Sequence, residues 1–511
     1  VARAKIVYED FKGEYGATSG AKAPPGTFKA TNMQVYKTGL LGPRAGLKAM
    51  AYTSVPAAAV KGMGWRGTTA KDLWVAFGTD VQRNDTLTPG SAFVDFATNL
   101  ASTPTHPVQG VEYGTLNSFI TNFDDKSYIL NHTTPTLTAI ATAPGGTCVS
   151  LYGERMMVAS TTAQPTRVYF SAAGDFTSWP AGNFFDLPAS SGAVAAMFQQ
   201  RNGLTILTLN GEWWVLTGVP GTSNAFLRRV GAGGVHPWIM NPNAAANLGS
   251  DEVAFVGIRS DYPSKFNGSY VADDMRHLEI HGGVAYTGDT DIKVLRGGRA
   301  EEVVIIFPGT APVSGALYTN GVWTLMQFGQ NLTVYATSDG QGRIMFTDGT
   351  STAKFYTWTL DLDRPAFLTD TLQTRGDGVN SPYTDYPVAA SVLFPEFWAQ
   401  DGSEVRVRSV EIETTKWDTS GAGTSQINVG YSLDVTSIDR YNQAATSVVS
   451  QALSENGNLY NTTGVRSRNV FRFGTNVRYA GGFSVGLSTI QGLAIERIIV
   501  EYETREEVPR T

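Results

Sequence analysis

The sequence predicts an all-β protein: a β-propeller of about six or seven blades, an extended N-terminal strap and a C-terminal β-sandwich. Three observations predict it. Thr, Val and aromatic residues are frequent while charged residues make up only 16% of the chain, a palette that suits pleated, half-buried surfaces. The 55 Gly and 23 Pro are spread through all 511 residues, so they read as turn punctuation and not as a low-complexity tract. Across the middle of the chain short apolar runs alternate with tight turn signals, at roughly 45 residues per group of four, the length of one propeller blade.

Residues 1–50 show little periodicity. Turn clusters at Ala23-Pro-Pro-Gly26 and Gly42-Pro-Arg-Ala-Gly46 separate short extended pieces, which predicts a strap laid over another surface. Residues 51–370 hold the repeated hairpins. Leu73–Phe77, Ser118–Thr121, Ser127–Leu130, Val149–Tyr152, Arg155–Val158, Leu204–Leu209 and Trp213–Leu216 are among the strand runs. Asn202-Gly203, Asn210-Gly211 and Asn320-Gly321 supply the positive φ that two-residue hairpins need. A plain β-sandwich is the competing architecture for this region. Ser191 to Gln200 reads as a short helix, and Tyr441 to Leu453 as a helix or a loop. A polar passage from Thr371 to Pro382 reads as a linker. Residues 385–511 alternate apolar with polar at period two, as in Val405–Glu413 and Ile495–Tyr502, the mark of a sheet with one buried face and hence of a sandwich.

Composition narrows the function. A net charge of −6 argues against a basic face that grips duplex through its phosphates. The single cysteine, Cys148, forms no internal disulfide and belongs to no metal-ligand spacing. No apolar run reaches the roughly 18 residues of a membrane span.

Several short patterns imitate chemical sites. Gly62-Met-Gly64-Trp-Arg-Gly67 spells a dinucleotide fingerprint, but a strand and not a helix follows it, so it reads as a Gly-rich turn. Gly482-Phe-Ser484-Val-Gly486 spells a nucleophile elbow inside an alternating strand, with no His after His281. His277, Glu279 and His281 would share one strand face without matching the zinc-helix spacing. Asp273-Asp274, Asp289/Asp291 and Asp361/Asp363 follow no calcium-loop pattern, and Arg375-Gly-Asp377 reads as a loop. A glycosidase would need two carboxylates facing one cleft, and no motif designates them. The sequence therefore assigns no catalytic, cofactor-binding or metal-binding residue and predicts a protein that is not an enzyme.

The stretch Arg167-Val-Tyr-Phe-Ser171-Ala-Ala-Gly-Asp175-Phe-Thr-Ser-Trp179 runs a strand into a Gly-Asp turn closed by a Trp, followed by Phe184-Phe185-Asp186-Leu187. It resembles the structural Asp-box hairpin of sialidase propellers, and also bacteriophage tail proteins. Asn32 through Gly39-Leu-Leu-Gly-Pro-Arg44-Ala-Gly46 is similar to the opening of short-tailed phage nozzle proteins, also called tail tubular protein B or packaged-DNA stabilisation proteins. Arg472-Phe-Gly-Thr-Asn476 through Arg505 resembles the closing β-region of related tail proteins. That resemblance implies a structural virion protein, made in the host cytoplasm, that forms a homo-oligomeric ring of six copies in the tail. It implies as partners a tail adaptor or portal, tail fibres or spikes, and double-stranded DNA that passes without sequence-specific binding. It transfers no catalytic residue and no cofactor. Two other functions compete. One is a receptor-binding or fibre-docking tail protein gripping host glycan through aromatics such as Trp213, Trp214 and Trp238; the other is a sialidase-like glycosidase.

Overall fold

In the computed structural model, residues 2–9, 11, 29–36, 40–44, 46–50, 52–66, 72–86, 90–114, 117–201 and 203–232 are described, and beyond these the strands named below with a few flanking residues. The protein is all-β, and its central region is a propeller. Every blade is an antiparallel set of four strands laid down mostly in chain order, innermost first. Blade 1 comprises Val60–Arg66, Asp72–Phe77, Asp80–Asn84 and Val94–Asp95; blade 2 comprises Gln109–Tyr113, Asn117–Thr121, Lys126–Asn131 and Thr136–Pro144. Blade 3 comprises Cys148–Tyr152, Arg155–Ala159, Arg167–Phe170 and Phe184–Asp186; blade 4 comprises Val194–Gln200, Gly203–Thr208, Glu212–Thr217 and Phe226–Ala232. Blades 5 and 6 follow, with inner strands Ala245–Gly249 and Lys293–Arg296 and outer strands Val271–Ala272 and Val322–Met326. Blade 7 has Tyr335–Ser338, Arg343–Thr347 and Phe355–Thr359, and borrows its outermost strand, Lys48–Ala49, from the start of the chain.

Seven blades are therefore present among the described residues, and they close. Inner strands neighbour one another in sequence order, and that of blade 7 returns to that of blade 1. Apolar clusters fill the seams. Trp74, Phe96, Ile120 and Leu130 pack between blades 1 and 2. Phe119, Met156, Val158 and Trp179 pack between blades 2 and 3. Met345 and Phe355 of blade 7 join Val60, Leu73 and Val75 of blade 1. Closure leaves only the outermost strand of a blade as an edge; in blade 1 that edge is two residues long, the usual way of blunting an edge, and in blade 6 it is paired with Lys29–Thr31.

Gly62 and Gly64 lie in the inner strand of blade 1, not in a turn. The reason is steric. A Cβ at Gly64 would sit 2.8 Å from the Trp74 ring, and one at Gly110 in blade 2 would sit 2.6 Å from it. The indole is 2% exposed and lies where both strands lack side chains. Gly64→Val is expected to destabilise the fold by about 1–3 kcal/mol, the usual cost of overpacking, with loss of near-UV dichroism from the displaced indole as the readout.

The segment predicted as a helix, Ser191 to Gln200, is instead a 3-10 turn at Ala189–Ser191 and the inner strand Val194–Gln200. Pairing with Gly203–Thr208 across the hairpin and burial of Val194 to Met197 override the helix propensity of Ala and Met. Ser447–Ala452, within the stretch left between helix and loop, is a strand. The passage predicted as a linker from Thr371 begins instead within a strand, Thr369–Gln373, which pairs with Tyr383–Pro387.

The C-terminal region forms two sheets packed face to face. One contains Leu493–Arg505, Glu404–Lys416 and Arg466–Arg472; the other contains Ala390–Leu393, Gly482–Ile490, Gln426–Leu433 and Ser447–Ala452. Val405, Val407, Val410 and Ile412 from the first meet Val429, Val485 and Leu487 from the second in one buried cluster. The N-terminal segment is woven into this sandwich. Ala2–Tyr8 pairs with Leu493–Arg505 over seven residues, Leu41–Pro43 pairs with the same strand, and Lys29–Thr31 pairs with Ala390–Leu393. Lys29–Thr31 also pairs, in parallel, with the outer strand of blade 6 at Thr31 and Leu325. A single sheet thus runs from propeller into sandwich.

Candidate functional site

Three places concentrate polar groups. The first is the junction made by residues 29–50. Arg44 is 0% exposed. Its Nε donates to Asn32 Oδ1 at 3.0 Å, and its backbone N–H donates to the Asn32 carbonyl at 2.8 Å. Asn32 adopts φ +56°, a left-handed conformation that Asn tolerates better than most residues. Tyr36 Oη donates to the Pro43 carbonyl at 2.5 Å, closing the hairpin between Met33–Val35 and Leu41–Pro43. Asn32 and Arg44, two of the residues that carry the family resemblance, thus form one buried clasp.

The second is a charged cluster at the seam of blades 1 and 2. Arg66 Nε and Nη2 donate to Asp72 Oδ2 at 3.1 and 2.7 Å, Arg83 lies 3.7 Å from the same oxygen, and His132 Nδ1 lies 3.4 Å from it. His132 Nε2 is 3.0 Å from Ser118 Oγ. The order Ser–His–Asp is that of a hydrolytic triad, but Ser118 and His132 are each 1% exposed and Asp72 is 3% exposed, so no acyl group reaches the hydroxyl. Burial pushes His132 below its usual range, against the pull of Asp72. Burial also works to raise Asp72, but hydrogen bonds from His132 and Arg66 outweigh it and hold the carboxyl low. The imidazole, hydrogen-bonded to Ser118 of its own blade, thus faces the Asp72 carboxylate of blade 1 across the seam. No local pattern in the sequence marks this cluster, because its members lie on different blades.

The third is the propeller axis. A cavity of about 660 Å³ opens among the inner strands of blades 2 to 6, lined among others by Gln109, Glu112, Ser150, Gln199, Asn247 and Val294. Its size falls in the range of small-molecule sites. Cys148 borders it, but the thiol is 1% exposed and faces the backbone carbonyl of Ala195 at 3.2 Å. Burial pushes it up to about 12, so it holds no reactive thiolate at neutral pH.

The Ser171–Trp179 stretch is a bracing hairpin of blade 3. Asp175 Oδ1 accepts from Thr177 N–H at 2.9 Å and Oγ1 at 2.6 Å, and these bonds hold its carboxyl below the ordinary range. Trp179 Nε1 donates to the Phe176 carbonyl at 2.9 Å while its ring packs 5.9 Å from Phe119 of blade 2. Trp179→Ala is expected to cost about 3 kcal/mol, the scale of a buried aromatic truncation, measurable as a lower urea midpoint.

The remaining patterns separate cleanly. Ser484 lies within the strand Gly482–Ile490. Trp213 is 0% exposed in the seam of blades 4 and 5, and Trp214 is half-buried with Nε1 on Glu212 at 3.0 Å, so neither presents an open ring to a sugar. Gly67, Trp238, Asp273, Asp274, His277, Glu279, His281, Asp289, Asp291, Asp361, Asp363 and Arg375–Asp377 lie outside the described residues. Among the described residues no group of three or more His, Cys, Asp or Glu is placed to hold a metal ion, and no helix is long and apolar enough to cross a membrane.

No family model matches the chain, and no curated protein matches it in sequence. Among solved structures it is similar to the WD40 domain of Neurospora crassa Pan2, at 9% identity and TM-score 0.42 over 61% of this chain and 94% of that one. It is also similar to YCF48 bound to D1 peptide, at 9% identity and TM-score 0.38 over 62% of this chain and 97% of that one. A third likeness is to the computationally designed Ika8 protein, at 11% identity and TM-score 0.38 over 62% of this chain and 89% of that one. Such likenesses concern the fold alone, and the seven closed blades stand on their own pairing and packing.

Proposed function

We propose that this chain is a structural virion protein of a bacteriophage tail, a nozzle or tail-tube component that assembles as a homohexameric ring in the distal conduit. One observation supports this most: the residues behind the resemblance are construction residues. Asn32 and Arg44 form the junction clasp, Asp175 ties its own turn through Thr177, Trp179 packs blade 3 on blade 2, and the stretch from Arg472 to Arg505 supplies two central sandwich strands. The mechanism is mechanical. Copies surround a channel, retain packaged DNA and release it on ejection, with the adaptor or portal above and fibres or spikes alongside. The conduit lies between copies, since a cavity of about 660 Å³ on the propeller axis holds a small molecule and not a duplex. A net charge of −6 suits a lumen that repels phosphate and lets duplex slide. Class averages of the purified protein, alone and with its adaptor, should yield six-fold rings with a duplex-wide opening. Monomers under both conditions, or a lumen lined mainly by Lys and Arg, would contradict this.

A second function, glycan recognition by a receptor-binding tail protein, has one observation in its favour. The axial cavity is lined by the amides of Gln109, Gln199 and Asn247, groups that offer both donors and acceptors to hydroxyls. Glycan-array binding that is lost in Gln199→Ala would favour it.

A further inference from the structure

His132 stands between two blades with no room for a second charge. Its ring meets Asp72 on one side, Ser118 on the other and the edge of Phe96 at a centroid distance of 5.6 Å. The charged groups facing it all come from blade 1: Asp72, Arg66 and Arg83, with Asp85 3.6 Å from Arg83 at the solvent side. Blade 2 contributes only the Ser118 hydroxyl. Asp72 is the one carboxylate within ion-pair distance of the imidazole among the described residues. Two guanidiniums already share that carboxylate. Arg83 Nη1 also donates to the His132 carbonyl, a second contact that crosses the seam.

We propose that the seam between blades 1 and 2 is an acid-sensitive latch, closed by neutral His132 and opened when that ring takes up a proton. Next to the ring the closed seam holds two guanidiniums and one carboxylate, with Asp85 beyond Arg83 at the solvent side. A protonated imidazole adds a third cation in a place shut off from water, and its second N–H requires Ser118 to turn from donor to acceptor. Parting of the blades hydrates the ring and lets it bind the proton at the ordinary histidine value, near 6.5. The sign follows. Above that value open and closed forms bind the same number of protons and opening does not depend on pH. Below it only the open form binds the extra proton, so opening rises by up to about tenfold per pH unit. Aspartate and glutamate groups contribute mainly below about pH 5, which leaves the window from 6.5 to 5 to histidine.

Hydrogen exchange tests this on the full chain, following the amides of Ala97 and Val108, which bond across the seam to the carbonyls of Pro135 and Lys61 at 3.0 and 2.8 Å, after correction for intrinsic rates. The opening constant should rise about fivefold between pH 6.5 and 5.5 in the parent protein, since the open ring is already half protonated at 6.5. It should be flat over the same window in His132→Gln, whose amide can still donate toward Asp72 and accept from Ser118. His106→Gln, which removes a ring tilted against Phe123 at a centroid distance of 4.2 Å and outside the Asp72 cluster, should keep the fivefold rise. An equal slope in His132→Gln, or no slope in the parent, would overturn the latch. Should His132→Gln fail to fold, the parent's own imidazole resonance decides. A ring that stays neutral below pH 6 while exchange accelerates supports the latch, and one that titrates near 6.5 with exchange unchanged refutes it.

Discussion

Removing residues 1–49 should abolish the fold and not merely trim it. A strap laid over finished domains could be deleted at small cost, but these residues complete both halves. Tyr8, Phe11, Met33, Val35 and Leu41 lie in the sandwich core, and Leu47 and Ala49 lie in the cluster between blades 6 and 7. Each large apolar side chain is worth roughly 1.5–3 kcal/mol on burial, so the loss is on the order of 10 kcal/mol, comparable with the whole stability of a typical domain. Deletion also strips the fourth strand from blade 7, where Met50 N–H bonds the Phe355 carbonyl at 2.9 Å. It exposes Leu493–Arg505 along the seven positions now paired with Ala2–Tyr8 as well, and an open strand of that length invites aggregation. The shortened chain should be insoluble or protease-labile in limited trypsinolysis. A monomeric product with the parent's circular dichroism and resistance would mean that the segment is accessory after all.

Arg44→Ala should cost about 2–5 kcal/mol, the range of a large buried side chain cut back to Ala, to which a buried acceptor stripped of its donor contributes. The change empties the space of a wholly buried side chain and leaves Asn32 Oδ1 without its 3.0 Å donor while its backbone stays at φ +56°. Arg44→Lys should recover little, because a single ammonium cannot reproduce the directions of a planar guanidinium. Met33–Val35 sits against the outer strands of blade 6, so the damage should spread to both halves. Chemical denaturation followed separately in sandwich and propeller should show both transitions lowered. An unchanged propeller transition would place the clasp in the sandwich alone.

Much of the propeller is legible in the sequence because its signals are local. Asn210-Gly211 marks a turn between the strands Gly203–Thr208 and Glu212–Thr217, with Gly211 at φ +77°, and a hairpin needs no distant partner to declare itself. The inner strands begin at Val60, Gln109, Cys148, Val194, Ala245, Lys293 and Tyr335, and that rhythm is close to the spacing of the turn signals. What stays hidden depends on distance in the chain. Met33–Val35 and Leu41–Pro43 are three residues each, too short for any periodicity, and one of them is defined by a partner at Ile495. Gly62 and Gly64 read as a turn because what demands them is not local: Gly64 faces the Trp74 ring of the paired strand, and Gly62 faces the Val108 carbonyl at the entry to blade 2, which arrives only when two blades meet. Ser118, His132 and Asp72 gave no signal for the same reason. Val194–Gln200 misleads in the opposite direction: its Ala-rich composition favours a helix, and only its place on the propeller axis makes it a strand.

Antibody labelling of intact virions tests the conduit most directly. Raised against this chain and imaged on negatively stained particles, the label should sit at the distal end of the tail, on the axis. Label on the capsid faces or on lateral fibres, or none on the particle at all, would contradict a protein whose task is to build the channel.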